Sequence, residues 1–297
     1  MILDPNGMPI LQPAIDNAET ATFNTAFAAI GNAVVGRGSG DNLIINGDFR
    51  INQRAYVSGT SLSSGAYAFD RWKATTASTS LTFTAAPQGQ LVTINSGGSI
   101  ATILERANVA AGGRTLSHTG TATMRAYNVG GTPPAYSAGP ITVTLDGLAD
   151  VVVEFAASGG TKTVGFVKLS GGTVATPYTA RPYGGELALC QRYYWRLVTT
   201  GIAFPLAFFQ TAIDTGLSSI TYPVPMRANP TFTVSSSTIL SLYIPDVALR
   251  SGTSVTSSPK ITNAILKVAI APGSPIERGA VMISPNGAGW LAFDAEL

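Results

Sequence analysis

The stretch VVVEFAASGGTKTVGFVKLSGG, residues 151–172, holds two short apolar runs, each closed by glycines. Val151–Phe155 and Val164–Leu169 are built from β-branched, aromatic and aliphatic residues. Ser158-Gly159-Gly160 and Gly171-Gly172 end them after a few positions. Apolar runs this short, stopped by turn residues, read as strands rather than helices. The same pattern extends outward. Leu81–Thr84, Leu91–Ile94, Thr121–Met124 and Ile141–Leu145 alternate apolar residues with threonine or alanine, the pattern of a half-buried strand. Turns recur at Ser96-Gly97-Gly98, Gly112-Gly113 and Gly130-Gly131. No helical block interrupts residues 42 to 183, which argues for an antiparallel jelly-roll sandwich rather than a parallel sheet.

Two glycine-rich breaks, Gly36-Arg37-Gly38-Ser39-Gly40 and Arg181-Pro182-Tyr183-Gly184-Gly185, divide the chain into 1–40, 41–183 and 184–297. The first part reads as an extended arm followed by a helix from Ala14 to about Val35. Phe23, Phe27, Ile30 and Val34 step by 4, 3 and 4, the spacing of a coiled-coil seam. A helix this short needs partners, so these four residues are the candidates for trimerisation or docking. After Gly185, Leu187, Cys190 and Tyr194 suit one face of a short helix. Tyr193, Trp195 and Leu197 alternate as a strand. The remainder is strand-like, with Pro223, Pro225 and Pro230 confining its middle to edges and loops. No fixed-period repeat suggests a solenoid. The expected fold class is all-β: a jelly-roll sandwich, a second β module and a short helical anchor.

Composition narrows the function classes. Of 297 residues, 45% are hydrophobic and only 11% charged, against about 25% in average domains. The polar surface is therefore mostly Thr, Ser, Asn and Gln. A net charge of +2 without a basic run argues against nucleic acid as a partner. One cysteine excludes an intrachain disulfide framework. No run approaches the ~18 apolar residues of a membrane span, so no membrane insertion is expected. The opening MILDPNGMPILQP carries Asp4 and no basic residue before its apolar positions, unlike a secretory signal.

Catalytic chemistry finds little material. His118, the one histidine, lies at a polar position of a strand, with no nucleophile elbow nearby. Cys190 sits in an apolar helix pattern and reads as a core residue. The closest acidic pair, Asp146 and Asp150, flanks Gly147 in turn context rather than facing each other across a cleft. No catalytic residue, metal site or cofactor is expected. Binding has better material, because sugar sites pair aromatic faces with amides and hydroxyls. Arg125–Tyr136 reads as a long loop, and Tyr127, Asn128 and Tyr136 are its glycan-binding candidates. Trp72 reads as core. Trp195 and Trp290 read as core or subunit interface, and Gly289–Phe293 as a segment closing a core within one chain or between chains.

Four blocks carry a family resemblance: NLIINGDFRINQR (42–54), AFDRWK (68–73), KLSGGTVATPYTARPYGGELALCQRYYW (168–195) and YPVPMRANPTFT (222–233). Together they resemble tail-fibre-like appendage proteins of tailed bacteriophages, over roughly residues 42–297. The resemblance implies a carbohydrate-binding-like jelly roll and a second β module in a homotrimeric virion fibre. It also implies synthesis in the host cytoplasm and release by lysis. The partners would be other virion proteins, through the first 40 residues, and a host-surface glycan or receptor. A purely structural head or baseplate fibre is the alternative, and a glycan depolymerase a more distant one. The Asn-Leu-x-x-Asn-Gly-x-Phe opening also looks like the first strand of galactose-binding-like jelly rolls. Many of those have an acidic calcium ligand directly after the Phe; here that position is Arg50, which has no acceptor oxygen, so no calcium is expected.

Overall fold

A computed structural model describes residues 42–199, 203–212, 215–236, 241–244, 248–270, 280–283 and 289–297. The candidate trimerisation residues Phe23, Phe27, Ile30 and Val34, with the whole anchor segment, lie outside the described residues.

Ten strands make the first module: β1 (Ser61–Leu62), β2 (Lys73–Ala74), β3 (Thr79–Ala86), β4 (Gly89–Ile94), β5 (Ser99–Leu104), β6 (Gly112–Gly120), β7 (Thr123–Asn128), β8 (Ile141–Leu145), β9 (Val151–Ala156) and β10 (Lys162–Gly171). They form two antiparallel sheets, ordered β1-β3-β4-β10-β6-β8 and β2-β5-β9-β7. From β4 to β10 each successive strand changes sheet, so the chain winds around the core as a jelly roll. One face of each sheet points inward. Leu81, Val92, Leu116 and Val164 from the larger sheet meet Ile100, Met124, Val153 and Phe155 from the smaller one. An aromatic cluster closes one end, with Phe49 4.8 Å from Trp72 and 5.6 Å from Phe69 between ring centres. Trp72 is fully buried, and its indole N–H donates to the Asn46 carbonyl at 2.9 Å.

The opening segment is held by an irregularity in β10. A β-bulge shifts the β10–β6 register between Gly165 and Lys168, with Phe166 at φ 51°. The bulge breaks strict alternation, so Val164, Val167 and Leu169 all reach the core. The backbone groups beside it turn to residues 42–47. Asn42 donates Nδ2 to the Val167 carbonyl (2.9 Å), and its Oδ1 accepts the Leu169 and Ile44 amides (both 3.0 Å). The Val167 amide donates to the Gly47 carbonyl at 2.8 Å. Asn42 thus supplies through its side chain the pairing that a regular strand neighbour would supply through its backbone.

The helix α1 (Tyr183–Gln191) joins the modules. Its buried residues are Glu186 and Cys190, one turn apart on one face, while Leu187 is only partly covered. Beyond it come β11 (Tyr194–Thr199), β12 (Ala203–Ala212), β13 (Thr215–Thr221), β14 (Thr231–Val234), β15 (Ser241–Ile244), β16 (Ala248–Pro259), β17 (Asn263–Ile270), β18 (Ala280–Ile283) and β19 (Gly289–Asp294). Strands β12-β13-β17-β16-β15-β18 close into a barrel, and β11-β19-β14 form a separate sheet. Trp195, Leu291 and Phe293 of that sheet pack with Ile220, Leu266 and Val268 of the barrel. The Gly289–Phe293 segment therefore closes a core within its own chain. Among the described residues, no helix is long and apolar enough to cross a membrane.

Candidate functional site

Strand β7 pairs with β9 so that Arg125 lies opposite Glu154 and Tyr127 opposite Val152. Successive strand residues point to opposite faces, so Arg125, Tyr127 and Glu154 share the outward face of the four-stranded sheet. Arg125–Asn128 belongs to this strand, not to a loop as its polar composition suggests, because the ladder to β9 runs on to Asn128 opposite Val151. The connection then folds back. Met124 and Ser137 exchange backbone hydrogen bonds of 2.8 and 2.9 Å, which set Tyr136 beside Arg125.

Glu154 organises what results. It is almost fully buried, and its carboxylate accepts Arg125 Nε at 2.8 Å and Thr75 Oγ1 at 2.7 Å. The Arg125 guanidinium lies over the Tyr136 ring at 4.1 Å and the Tyr127 ring at 5.4 Å, and Nη1 donates to the Pro134 carbonyl at 3.3 Å. The Glu154 carboxylate lies close enough to both tyrosine hydroxyls to add to the effect of burial in raising their pKa. Burial, and then the Glu154 carboxylate beside it, hold the Tyr136 phenol well above its ordinary pKa. Each such guanidinium–ring contact contributes about 0.5–1 kcal/mol, so Tyr136 is a braced wall rather than a loose loop side chain.

That wall borders a shallow cavity of about 320 Å³, lined also by Thr76, Gly97, Gly98, Ser99 and Ser158. The two glycines keep the lining low, and the hydroxyl side chains supply donors and acceptors. An aromatic face beside hydroxyls is the chemistry that seats a sugar ring. The structure thus brings Tyr127 and Tyr136 together and turns Asn128 away. Asn128 has the opposite parity on β7, and its Oδ1 is buried without a hydrogen-bond partner among the described residues. Glu154 and Thr75 are the participants that sequence reading missed. One signal was available, since Glu154 is the charged residue inside the apolar run Val151–Phe155.

His118 packs edge-on to Phe155 at 5.0 Å, both ring nitrogens are buried without a hydrogen-bond partner among the described residues, and that burial lowers its pKa. Cys190 is fully buried and its thiol is pushed up by that burial. Asp146 caps the Leu148 amide and Asp150 the Arg106 amide, both at 2.8 Å. Asp48 is buried against Arg50, Oδ2 to Nε 3.0 Å, so the cation beside it is the chain's own guanidinium. Among the described residues, no three His, Cys, Asp or Glu side chains gather closely enough to hold a metal ion.

No family model matches the chain, and no curated protein matches it. Among solved structures, it is similar to the N-terminal CBM22-1–CBM22-2 tandem domain of Paenibacillus barcinonensis Xyn10C, at 11% identity and a TM-score of 0.24, covering 82% of this chain and 98% of the other. A likeness at that score bears on neither fold nor function.

Proposed function

We propose that this chain is a non-catalytic component of a bacteriophage virion fibre, acting as a homotrimer that contacts a host-surface glycan through the Tyr136 cavity. The observation that carries the binding part is the Tyr136 ring, braced by Arg125 and Glu154 and facing a cavity lined with hydroxyls. The virion part rests on the resemblance of residues 42–54, 68–73, 168–195 and 222–233 to phage appendage proteins. A low content of charge suits binding by stacking and hydrogen bonds. Each site would be weak, and three copies on one fibre would raise retention through effective concentration. Docking to the particle would fall to residues 1–40.

The full chain, immobilised, is offered a panel of purified bacterial surface polysaccharides. Retention of at least one is expected, and Tyr136→Ala should weaken it about 3- to 10-fold per site, the worth of one aromatic contact. Retention of none would leave the purely structural reading in place. Release of soluble oligosaccharides would reveal a depolymerase instead.

A further inference from the structure

The outward face of the β11-β19-β14 sheet carries a second arrangement of groups. Register places Val198 opposite Trp290, and Arg196 opposite Ala292, which faces Thr233 on the other side. Tyr194 lies opposite Asp294, which faces Thr231. Arg54 and Tyr67 of the jelly roll complete one wall, and the groove so enclosed measures about 580 Å³. Small-ligand sites typically occupy about 300–1,000 Å³ and favour the junctions between modules.

Charge bookkeeping along this groove leaves one group unmatched. Arg54 has its charge matched: Nη1 lies 2.9 Å from Asp294, Nη2 3.4 Å from Glu296, and its guanidinium carbon 3.8 and 4.5 Å from the Tyr194 and Tyr67 rings. Glu296 is neutralised a second time by Arg71. Arg196 has only neutral partners. Its Nη1 donates to the carbonyls of Gln53 (3.3 Å) and Arg54 (3.0 Å), its guanidinium rests on Trp290 at 4.7 Å, its Nε is buried out of a ligand's reach, and its Nη2 makes no hydrogen bond among the described residues. Among the described residues no carboxylate lies within salt-bridge distance of it. A cation held rigidly, backed by an indole and short of an acceptor, is prepared for an anion brought from outside. The neighbouring hydroxyls of Thr231 and Thr233, both on exposed residues lining the groove, suit a polyhydroxylated ring rather than a bare ion.

We propose that the groove between the two modules binds a pyranose bearing one anionic substituent, the anion on Arg196, the ring against Trp290 and its hydroxyls on Thr231 and Thr233. This site is independent of the Tyr136 cavity, which lies on the sandwich. The full chain is titrated at low ionic strength with glucuronate, glucose 6-phosphate, glucose and inorganic sulfate, read by tryptophan fluorescence and calorimetry. At least one of the two charged sugars should bind at least ~10-fold more tightly than glucose, the worth of one charge-assisted hydrogen bond. Whether glucuronate or glucose 6-phosphate is preferred identifies the anion as carboxylate or phosphate. Arg196→Gln should erase the preference for the charged sugar, and Trp290→Ala should weaken charged and neutral sugars alike. Should Arg196→Gln fail to fold, Arg196→Lys, which keeps the charge but loses the planar fork, should retain only part of the preference. The proposal is overturned if neither charged sugar exceeds glucose, or if the preference survives undiminished in the Arg196 variants. It also fails if sulfate binds as tightly as the sugars and Trp290→Ala changes nothing, the mark of an adventitious ion only.

Discussion

Asp70 lies fully buried where the opening segment meets the second module, and its environment determines how the protein responds to pH. Its carboxylate accepts the Gln53 amide at 2.7 Å and the Gln53 side chain at 3.2 Å, and the same Gln53 side chain donates to the Tyr194 carbonyl at 2.8 Å. Burial raises the Asp70 pKa from 3.8 to about 7, against the opposing pull of the Gln53 amide and of Arg54. Between those two values the folded state keeps a proton that the unfolded state has lost. Stability therefore declines as pH rises through this window and levels off above about 7. Asp70→Asn keeps the size and one acceptor and never ionises. Relative to their difference near pH 4, the urea midpoints of the two proteins should diverge progressively up to about pH 7 and stay apart at pH 8, the variant gaining on the order of a few kcal/mol. His118, with its lowered pKa, acts oppositely, weakening the fold as pH falls below its ordinary range. It does so equally in both proteins and cancels in the comparison. Parallel pH profiles would show that Asp70 is not buried as described.

At the scale of elements, the opening segment, which is turn and bend rather than strand, depends on the bulge in β10, and the dependence can be tested at Gly47. A Cβ built there would sit 2.3 Å from the Val167 carbonyl oxygen, which is backbone and cannot swing aside. The Asn-Gly of NLIINGDF reads as an ordinary turn signal. Its glycine is required by close approach to another strand, and its asparagine by three hydrogen bonds of its own side chain. Asn46 Nδ2 donates to the carbonyls of Ile51 (2.8 Å) and Asp70 (3.0 Å), and Oδ1 accepts the Ile51 amide at 3.0 Å. Gly47→Ala should lower stability by at least about 2 kcal/mol through overpacking against fixed backbone. A denaturation midpoint equal to the wild type's would mean that β10 and the opening segment separate more easily than their hydrogen bonds indicate.

For the whole molecule, the decisive link is the return of residues 294–297 onto the jelly roll. Glu296 accepts the Arg71 amide at 3.1 Å and pairs with its guanidinium, which also donates to the Ile103 carbonyl and lies 3.6 Å from the Tyr193 ring. Tyr67 and Lys73 reach the Leu297 carbonyl at 2.8 and 2.7 Å, and Arg227 reaches that of Ala295 at 2.9 Å. Arg71 and Glu296 are nearly inaccessible, with side-chain exposures of 2% and 4%. Removing one partner of such a pair leaves a buried charge uncompensated, at a cost of roughly 3–5 kcal/mol. Glu296→Ala should therefore lower the melting temperature of the jelly roll and split a shared calorimetric transition into two. An unchanged endotherm would show that the modules are coupled by other contacts.

Much of this architecture was legible beforehand, for a definite reason. Alternation and glycine placement are local consequences of backbone geometry, so Val151–Phe155 and Val164–Leu169 were recognisable as strands, and Trp72 and Cys190 as buried. Which strand pairs with which is not local. β9 and β10 follow each other in sequence yet lie in different sheets, because each must bury its apolar face and satisfy its amides against partners far along the chain. The candidate site divides the same way. Tyr127 and Tyr136 were visible as aromatic residues near one another in sequence. That they converge on Glu154 while Asn128 faces away depended on the β7–β9 register, and Arg71 meets Glu296 across 225 residues. The sequence by itself determined the strands and the residues to be buried. Only the tertiary structure decided their partners, because pairing is settled by the packing of the whole chain.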